Sequence, residues 1–169
     1  MTQLFAQPYD ITANGFFFGS AEEYTEKVAQ NRNAYGDDPV EGYEIQFIDG
    51  EAIDCALAKA WEVNQASLGA FFDAVDAWDD HDKRVFIIAV GEAGYTFDPE
   101  TVAPDDFDVD IHYVESMREL AEQFVDEGLF GDIPEHLANY IDLDAIARDL
   151  AFDYTETYVA SESLIYRAV

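Results

Sequence analysis

The stretch VESMRELAEQFVDE, residues 114–127, carries four carboxylates at a spacing that could do work. On a helix Glu115, Glu119, Glu122 and Asp126 fall within about 60° of one another, while Met117, Leu120, Ala121 and Phe124 fall on the opposite face. At 1.5 Å rise per residue, that line carries roughly one charge per 5.5 Å. The chemistry on offer is electrostatic. A rigid element with regularly spaced negative charge presents what a phosphate backbone also presents. A solvated helix face is the ordinary alternative, but such faces usually mix in Lys and Arg at i,i+4, and here Arg118 is the single base. Two further groups share the pattern. Asp73, Asp76 and Asp80 lie opposite the apolar stripe Leu68, Phe71, Phe72, Val75 and Trp78 of a helix expected over 65–82. Asp106, Asp108 and Asp110 alternate with Phe107, Val109 and Ile111 in DDFDVDIH, residues 105–112, which reads as a strand with one wet face. Like charges aligned on a strand without bases cost stability.

Other chemistry finds little support. No GxGxxG, Walker loop, GxSxG, HExxH or CxxC is present. An EF-hand register starting at Asp106 has acids at its first three odd positions. It then places Ile111 where glycine is required and Met117 where glutamate is required. No metal and no cofactor is expected. His81, His112 and His136 are scattered, and Cys55 falls on the apolar side of a helical pattern, which reads as a buried thiol and not a nucleophile. No pair of acids stands out for glycoside hydrolysis, so no catalytic residue is assigned. The eight bases form no patch, which speaks against nucleic-acid binding.

Charge is the anomaly of the composition. The 169 residues contain 37 acids and 8 bases, a net −29, with 49% hydrophobic and 15% aromatic content. Such a chain can build a core, and its acids are spread along it with no single acidic tail. The charge repels nucleic acid and anionic lipid and works against compaction. Three explanations compete for why it is kept: a partner with a strongly basic cleft, metal buffering, or adaptation to high salt. Twenty-nine charges equal those on about 15 base pairs of duplex, so a DNA-binding protein fits as partner by charge alone. Phe, Tyr and Leu remain plentiful, which does not suit a weakened halophile core. With one cysteine there is no internal disulfide. MTQLFAQPYD lacks the basic and apolar regions of a signal peptide, and no run of 18 apolar residues occurs, so a cytoplasmic protein without a membrane partner is expected.

The elements that must position these acids read as follows. Residues 4–12 form a strand that Pro8 interrupts or confines to an edge. Asn14-Gly15 signals a hairpin, returned by Phe16–Phe18. Ser20 and Glu23 make a capping box that opens a helix to about Asn31, with Tyr24 and Val28 inward. A polar loop follows over 34–41, then a strand at 42–48 with Tyr43, Ile45 and Phe47 on one face. Residues 54–63 are helical in period. KRVFIIAV, residues 83–90, is ambiguous, its β-branched content favouring strand. After the helix of 114–127, Gly128 fits the C′ position, Asp132 and Asp142 fit helix caps, Ile146 and Leu150 point inward, and 152–167 closes as a hairpin around 160–163.

The string EGLFGDIPEHLANYIDLDAIARDL, residues 127–150, resembles the C-terminal signature of the ArdA-type antirestriction proteins. Gly128, Gly131, Pro134, Leu137, Tyr140, Ile141, Asp142, Asp149 and Leu150 stand at the matching positions. Weaker similarity covers 16–28, 42–48 and 106–127, whereas the first dozen residues and 83–104 match poorly. The resemblance implies an α+β fold drawn out as an elongated chain of three small domains, here 1–53, 54–104 and 105–169. The last would carry the dimer interface. The family's middle region is helical, which assigns 83–90 to helix against its propensity. The resemblance further implies a non-enzymatic DNA mimic encoded on mobile elements. Its surface carboxylates would follow the charge path of bent duplex and fill the DNA groove of type I restriction–modification enzymes, between specificity and modification subunits. The ten acids named above would then be the mimic. Gly128, Gly131, Pro134, Leu137 and Leu150 would serve turn, cap and core, and Tyr140 and Ile141 could face a second copy. An acidic protein aimed at another DNA-binding protein, or a halophile-type protein of unrelated function, remains the alternative.

Overall fold

The computed structural model describes residues 1–36 and 39–169, and it is mixed α and β. Part of the polar loop expected over 34–41 therefore lies outside the described residues. Contacts divide the chain into two compact units, Met1–Phe107 and Asp108–Val169.

In the first unit, β1 (Gln3–Pro8) is the centre of an antiparallel sheet, between β2 (Phe16–Phe18) and β3 (Tyr43–Asp49). Leu4 and Ala6 of β1 are fully buried, opposite Phe18 and Phe47, and Phe16 and Ile45, respectively. Of the two readings of Pro8, the edge position is wrong and the interruption holds: β1 is the central strand, and it ends at Pro8, its last paired residue. The expected hairpin with Phe16–Phe18 is present, but Asn14-Gly15 is not its two-residue turn. The chain leaves β1 at Pro8 and makes a turn in which Asp10 accepts from the Thr12 N–H (2.8 Å) and Oγ1 (2.7 Å). Gly15 is needed for a different reason: a Cβ there would lie 2.4 Å from Phe5 Cζ and 2.7 Å from the Ala6 carbonyl oxygen.

Helix α1 (Ala21–Gln30) is capped by Ser20, which accepts from the Glu23 N–H, while Glu23 reaches back to the Gly19 N–H at 2.7 Å. Its buried Tyr24 donates to Gln65 Oε1 at 2.8 Å, and burial holds that phenol's pKa up at about 12. Helices α2 (Ala52–Trp61) and α3 (Leu68–Ala77) follow, then α4 (Asp80–Phe86), which continues as a π-helical segment, Ile87–Glu92. The single helix expected over 65–82 is two helices. Trp78 is extended, and Asp79 opens α4 with a reciprocal capping box to Asp82. The run at 83–90 is helical, as the family resemblance implied. Ile87, Ile88 and Ala89 are buried on this winding, and Phe86 stacks on Trp61 at 4.8 Å. Its β-branched content yields to tertiary packing.

A buried ion pair ties this unit together. Asp54 (α2) and Lys83 (α4) are 5% and 6% exposed. Lys83 Nζ donates to Asp54 Oδ1 at 2.7 Å, and Thr2 Oγ1 donates to Oδ2 at 2.9 Å. The expected boundary near residue 53 is thus crossed by buried bonds, and by the Phe18–Phe72 ring contact at 6.2 Å.

In the second unit, β4 (Val109–His112), β5 (Thr155–Val159) and β6 (Glu162–Ala168) pair antiparallel in the order β4-β6-β5. Helix α5 (Met117–Asp126) packs Leu120 and Phe124 on Ile165, with Met117, Leu150 and Tyr154 around them. Helix α6 (Leu143–Leu150) is capped by Asp142, which accepts from the Ala145 N–H at 3.0 Å. The expected strand at 105–112 begins only at Val109, because Pro104–Asp106 forms a 3₁₀ turn. Asp132 caps nothing; Pro134 precedes a 3₁₀ helix, Glu135–Tyr140. The β5–β6 turn places Ala160 and Ser161 at φ 50° and 72°, a conformation suited to Asn-Gly.

Two stability outcomes follow from these contacts. Lys83→Met leaves Asp54 buried and unpaired and should cost about 3–5 kcal/mol by denaturant titration. Ala160→Asn with Ser161→Gly relieves the turn and should raise the melting temperature of the folded chain by a few degrees, as about 1 kcal/mol of relief would do.

Candidate partner-binding surface

The helices and strands set each carboxylate by a local rule. On α5 the apolar stripe Leu120, Ala121 and Phe124 is buried, which turns Glu122 and Asp126 outward. On α3 the buried Leu68, Phe71, Phe72 and Ala74 leave Asp73 and Asp76 outside. All ten acids named from the sequence are exposed: Asp73, Asp76, Asp80, Asp106, Asp108, Asp110, Glu115, Glu119, Glu122 and Asp126.

They are not equally available. Glu115 precedes the Ser116 cap and lies outside the helix; its N–H is held by Glu119 Oε2 at 2.8 Å. Asp80 belongs to α4 and not to the helix of Asp73 and Asp76, and it faces Arg84 at 3.9 Å. Asp106 accepts from the Ala103 N–H at 2.8 Å. Asp110 sits opposite Arg167 on β6 and pairs with it at 2.7 Å, so the strand's charges are not without a base. That bond raises the Arg167 pKa further. Elsewhere Arg118 bonds Asp144 and joins α5 to α6, and Lys27 bonds Glu23, which with the Gly19 N–H lowers that carboxyl's pKa. Asp73, Asp76, Asp108, Glu122 and Asp126 form no ion pair among the described residues.

The signature residues divide. Gly128, at φ +76°, is the C′ residue of a full Schellman motif: its N–H donates to Val125 O (3.1 Å) and the Leu129 N–H to Phe124 O (3.0 Å). Gly131 has φ +87°, the second left-handed turn of the segment. Leu150 packs at the rim of the core. Leu137 does not reach it: this leucine is 44% exposed and Tyr140 83%, with Leu129 and Phe130 also exposed. Pro134 and Asp149 are exposed and Ile141 is half-buried. Ile141, Gly128 and Gly131 line a cleft of about 450 Å³ beside α5, with Glu122, Asp126 and Asp132 at its wall. A pair of adjacent apolar residues between two glycines, Leu129-Phe130, was the sequence signal for that exposed surface.

Other candidates are placed as follows. Cys55 is exposed, not buried: the inward turn of α2 is taken by Asp54, Leu57 and Ala58. No group of His, Cys, Asp and Glu among the described residues could hold a metal ion. No helix is long and apolar enough to cross a membrane. His112 packs between the Phe124 and Tyr154 rings at 5.3 and 5.6 Å.

These features define an acidic α+β protein whose helix faces present carboxylates outward while its bases are largely committed to internal bonds. The family model of antirestriction protein (ArdA) matches residues 18–163, including residues 83–104, whose resemblance to the family is poor. The chain belongs to the ArdA antirestriction family, a family of inhibitors directed at restriction enzymes. No curated protein matches the chain.

Burial pushes the His112 imidazolium below its ordinary pKa of 6.5, against the opposing pull of Asp110 and Glu127. The folded unit then binds this proton less readily than the unfolded chain, so stability should fall as pH drops through the ordinary histidine range. Denaturant titrations between roughly pH 8 and pH 5 should show that loss. His112→Phe, which keeps the ring packing, should remove it.

Proposed function

We propose that this protein is a DNA mimic that fills the DNA-binding groove of type I restriction–modification enzymes, between specificity and modification subunits, without catalysing a reaction. The observation that carries the reading is the one-sided use of charge. Met1–Phe107 has 22 acids to 5 bases and Asp108–Val169 has 15 to 3, so both units contribute. Carboxylates at i,i+3 and i,i+4 repeat at roughly 5.5 Å, sparser than one strand's phosphates at about 3.4 Å of axis. Several lines must therefore act together, and the acids of α3 and α5, with Asp108 just before β4, supply them. Binding by such a surface displaces counterions from the partner's basic groove, as DNA does.

A homodimer is part of the proposal. Leu129, Phe130, Leu137 and Tyr140 form an exposed apolar set on the signature segment, of the kind that a second copy covers. Pairing doubles the charge presented to the enzyme.

The test is displacement of fluorescent cognate duplex from a type I modification enzyme, followed by anisotropy as salt rises, with the chain's oligomeric state measured by sedimentation. Stoichiometric displacement that weakens with salt is expected. Asp76→Asn alone should change the displacement constant by no more than about threefold, since exposed pairs are weak individually. Glu122→Gln with Asp126→Asn and Asp108→Asn should lose about tenfold and flatten the salt slope. A folded, dimeric protein that displaces nothing would overturn the type I assignment.

A further inference from the structure

We propose that the cleft walled by Trp61 and Trp78 receives one arginine side chain of the partner protein, with Asp73 and Glu100 as its counter-charges. This inference rests on the reading above, that the partner presents a basic DNA groove, and it names where one of those cations docks.

The cleft lies within the first unit, between α3 and the segment after the π-helix, and has a volume of about 180 Å³. By liquid volume that is room for about six waters, at roughly 30 Å³ each, enough for one long side chain and not for a folded segment. Its walls are aromatic. The two indoles lie 5.7 Å apart, Trp61 is braced edge-on by Phe97 at 5.2 Å, and Trp78 packs on Phe86 at 5.5 Å. Ala70, Ala74 and Pro99 keep the floor shallow and apolar. Asp73 and Glu100 are exposed at the cleft and neither has an ion-pair partner among the described residues.

Indole faces beside carboxylates are a receptor for a cation. The planar guanidinium is the best match. It stacks flat on an indole, loses less hydration than an ammonium, and offers a fork of donors to two carboxylates. The face on offer is that of half-buried Trp78; Trp61, 3% exposed, backs it at 5.7 Å, and its Nε1–H has no hydrogen-bond partner among the described residues. Indoles set this cleft apart from the others: the one beside α5 has carboxylates but no ring, the one between α2 and β3 places Lys59 beside Glu62, and the one at Tyr9 sets a phenol, not an indole, beside Asp10 and Glu41.

The site makes a claim that spread charge does not. Two acids here should outweigh two acids elsewhere, because a cation docked on indole is partly desolvated. In the duplex-displacement assay with the full chain, Asp73→Asn with Glu100→Gln should weaken displacement by about thirtyfold or more. The charge-matched pair Asp76→Asn with Glu44→Gln should cost no more than about fivefold. Trp78→Leu should lose as much as the cleft pair, while Trp78→Phe keeps most of the effect. All variants should retain the wild-type circular dichroism, since the altered residues are exposed or half-buried. Equal losses for the two acid pairs would overturn the proposal.

A second readout separates it from the mimic reading. The chain's two tryptophans both wall this cleft, so their fluorescence reports on it directly. Titration with N-acetyl-arginine amide should give a saturable change that the Asp73→Asn, Glu100→Gln protein lacks. If the wild type displaces no duplex, the mimic reading fails and this titration alone decides the cleft. No change, or an equal change with N-acetyl-lysine amide, overturns the arginine assignment.

Discussion

Thirty-seven carboxylates against eight bases make self-repulsion the constraint under which the rest of this structure is built. At the surface each neighbouring pair costs less than about 1 kcal/mol and is screened by salt, so the chain tolerates many of them as long as they stay in water. Inside, the rule reverses. Asp54 is buried only because Lys83 and Thr2 satisfy both of its oxygens. The remaining compaction comes from rings. Phe16, Phe18, Tyr24 and Tyr43 meet between the sheet and α1, and Trp61, Phe71, Phe86 and Phe97 meet among the helices. High aromatic content and high acidity therefore belong together: the first holds what the second pushes apart.

The same constraint governs the bases. Lys83 joins α2 to α4, Arg118 joins α5 to α6, and Arg167 joins β6 to β4 while lying 5.5 Å from the centre of the Tyr154 ring. These three bases link one element to another, whereas Lys27 and Arg84 pair within their own helices. Bases used this way strengthen the fold while leaving α3 without a base and the one base of α5, Arg118, bonded to Asp144. A solvated surface built for solubility alone would scatter them at i,i+4 along those helices.

What the sequence made legible was periodic or local. The buried stripe of α5, the alternation of β3, the Ser20 cap, the Gly128 C′ turn and the Asp142 cap each depend on residues within a few positions of one another, and each is present. The misses depend on distant partners or on a competing local signal. Gly15 is needed to clear Phe5, a residue ten positions away, and not to form a tight turn. The break at Trp78 had a legible sign in the Asp79–Asp82 box, but the unbroken apolar stripe through Trp78 masked it. Cys55 read as buried and is exposed while Asp54 turns inward, because only the fold reveals that Lys83 is available to a buried acid. Leu137 read as core from its type alone, whereas its 3₁₀ winding turns the segment outward.

Charge by itself is a poor source of selectivity. A surface of carboxylates at helix spacing suits any basic groove, and its hold weakens steeply with salt. Discrimination among basic partners needs contacts that a phosphate lacks: a shaped apolar wall, a planar ring, a pair of carboxylates fixed across a cleft. The chain has such features at two places, the Trp61–Trp78 cleft and the exposed apolar signature segment, and both are bordered by the acids that would attract a basic partner. Long-range attraction and short-range fit are thereby divided between different side chains. In the proposed complex the acids raise the encounter rate with a positive groove, and the aromatic surface determines which encounter lasts.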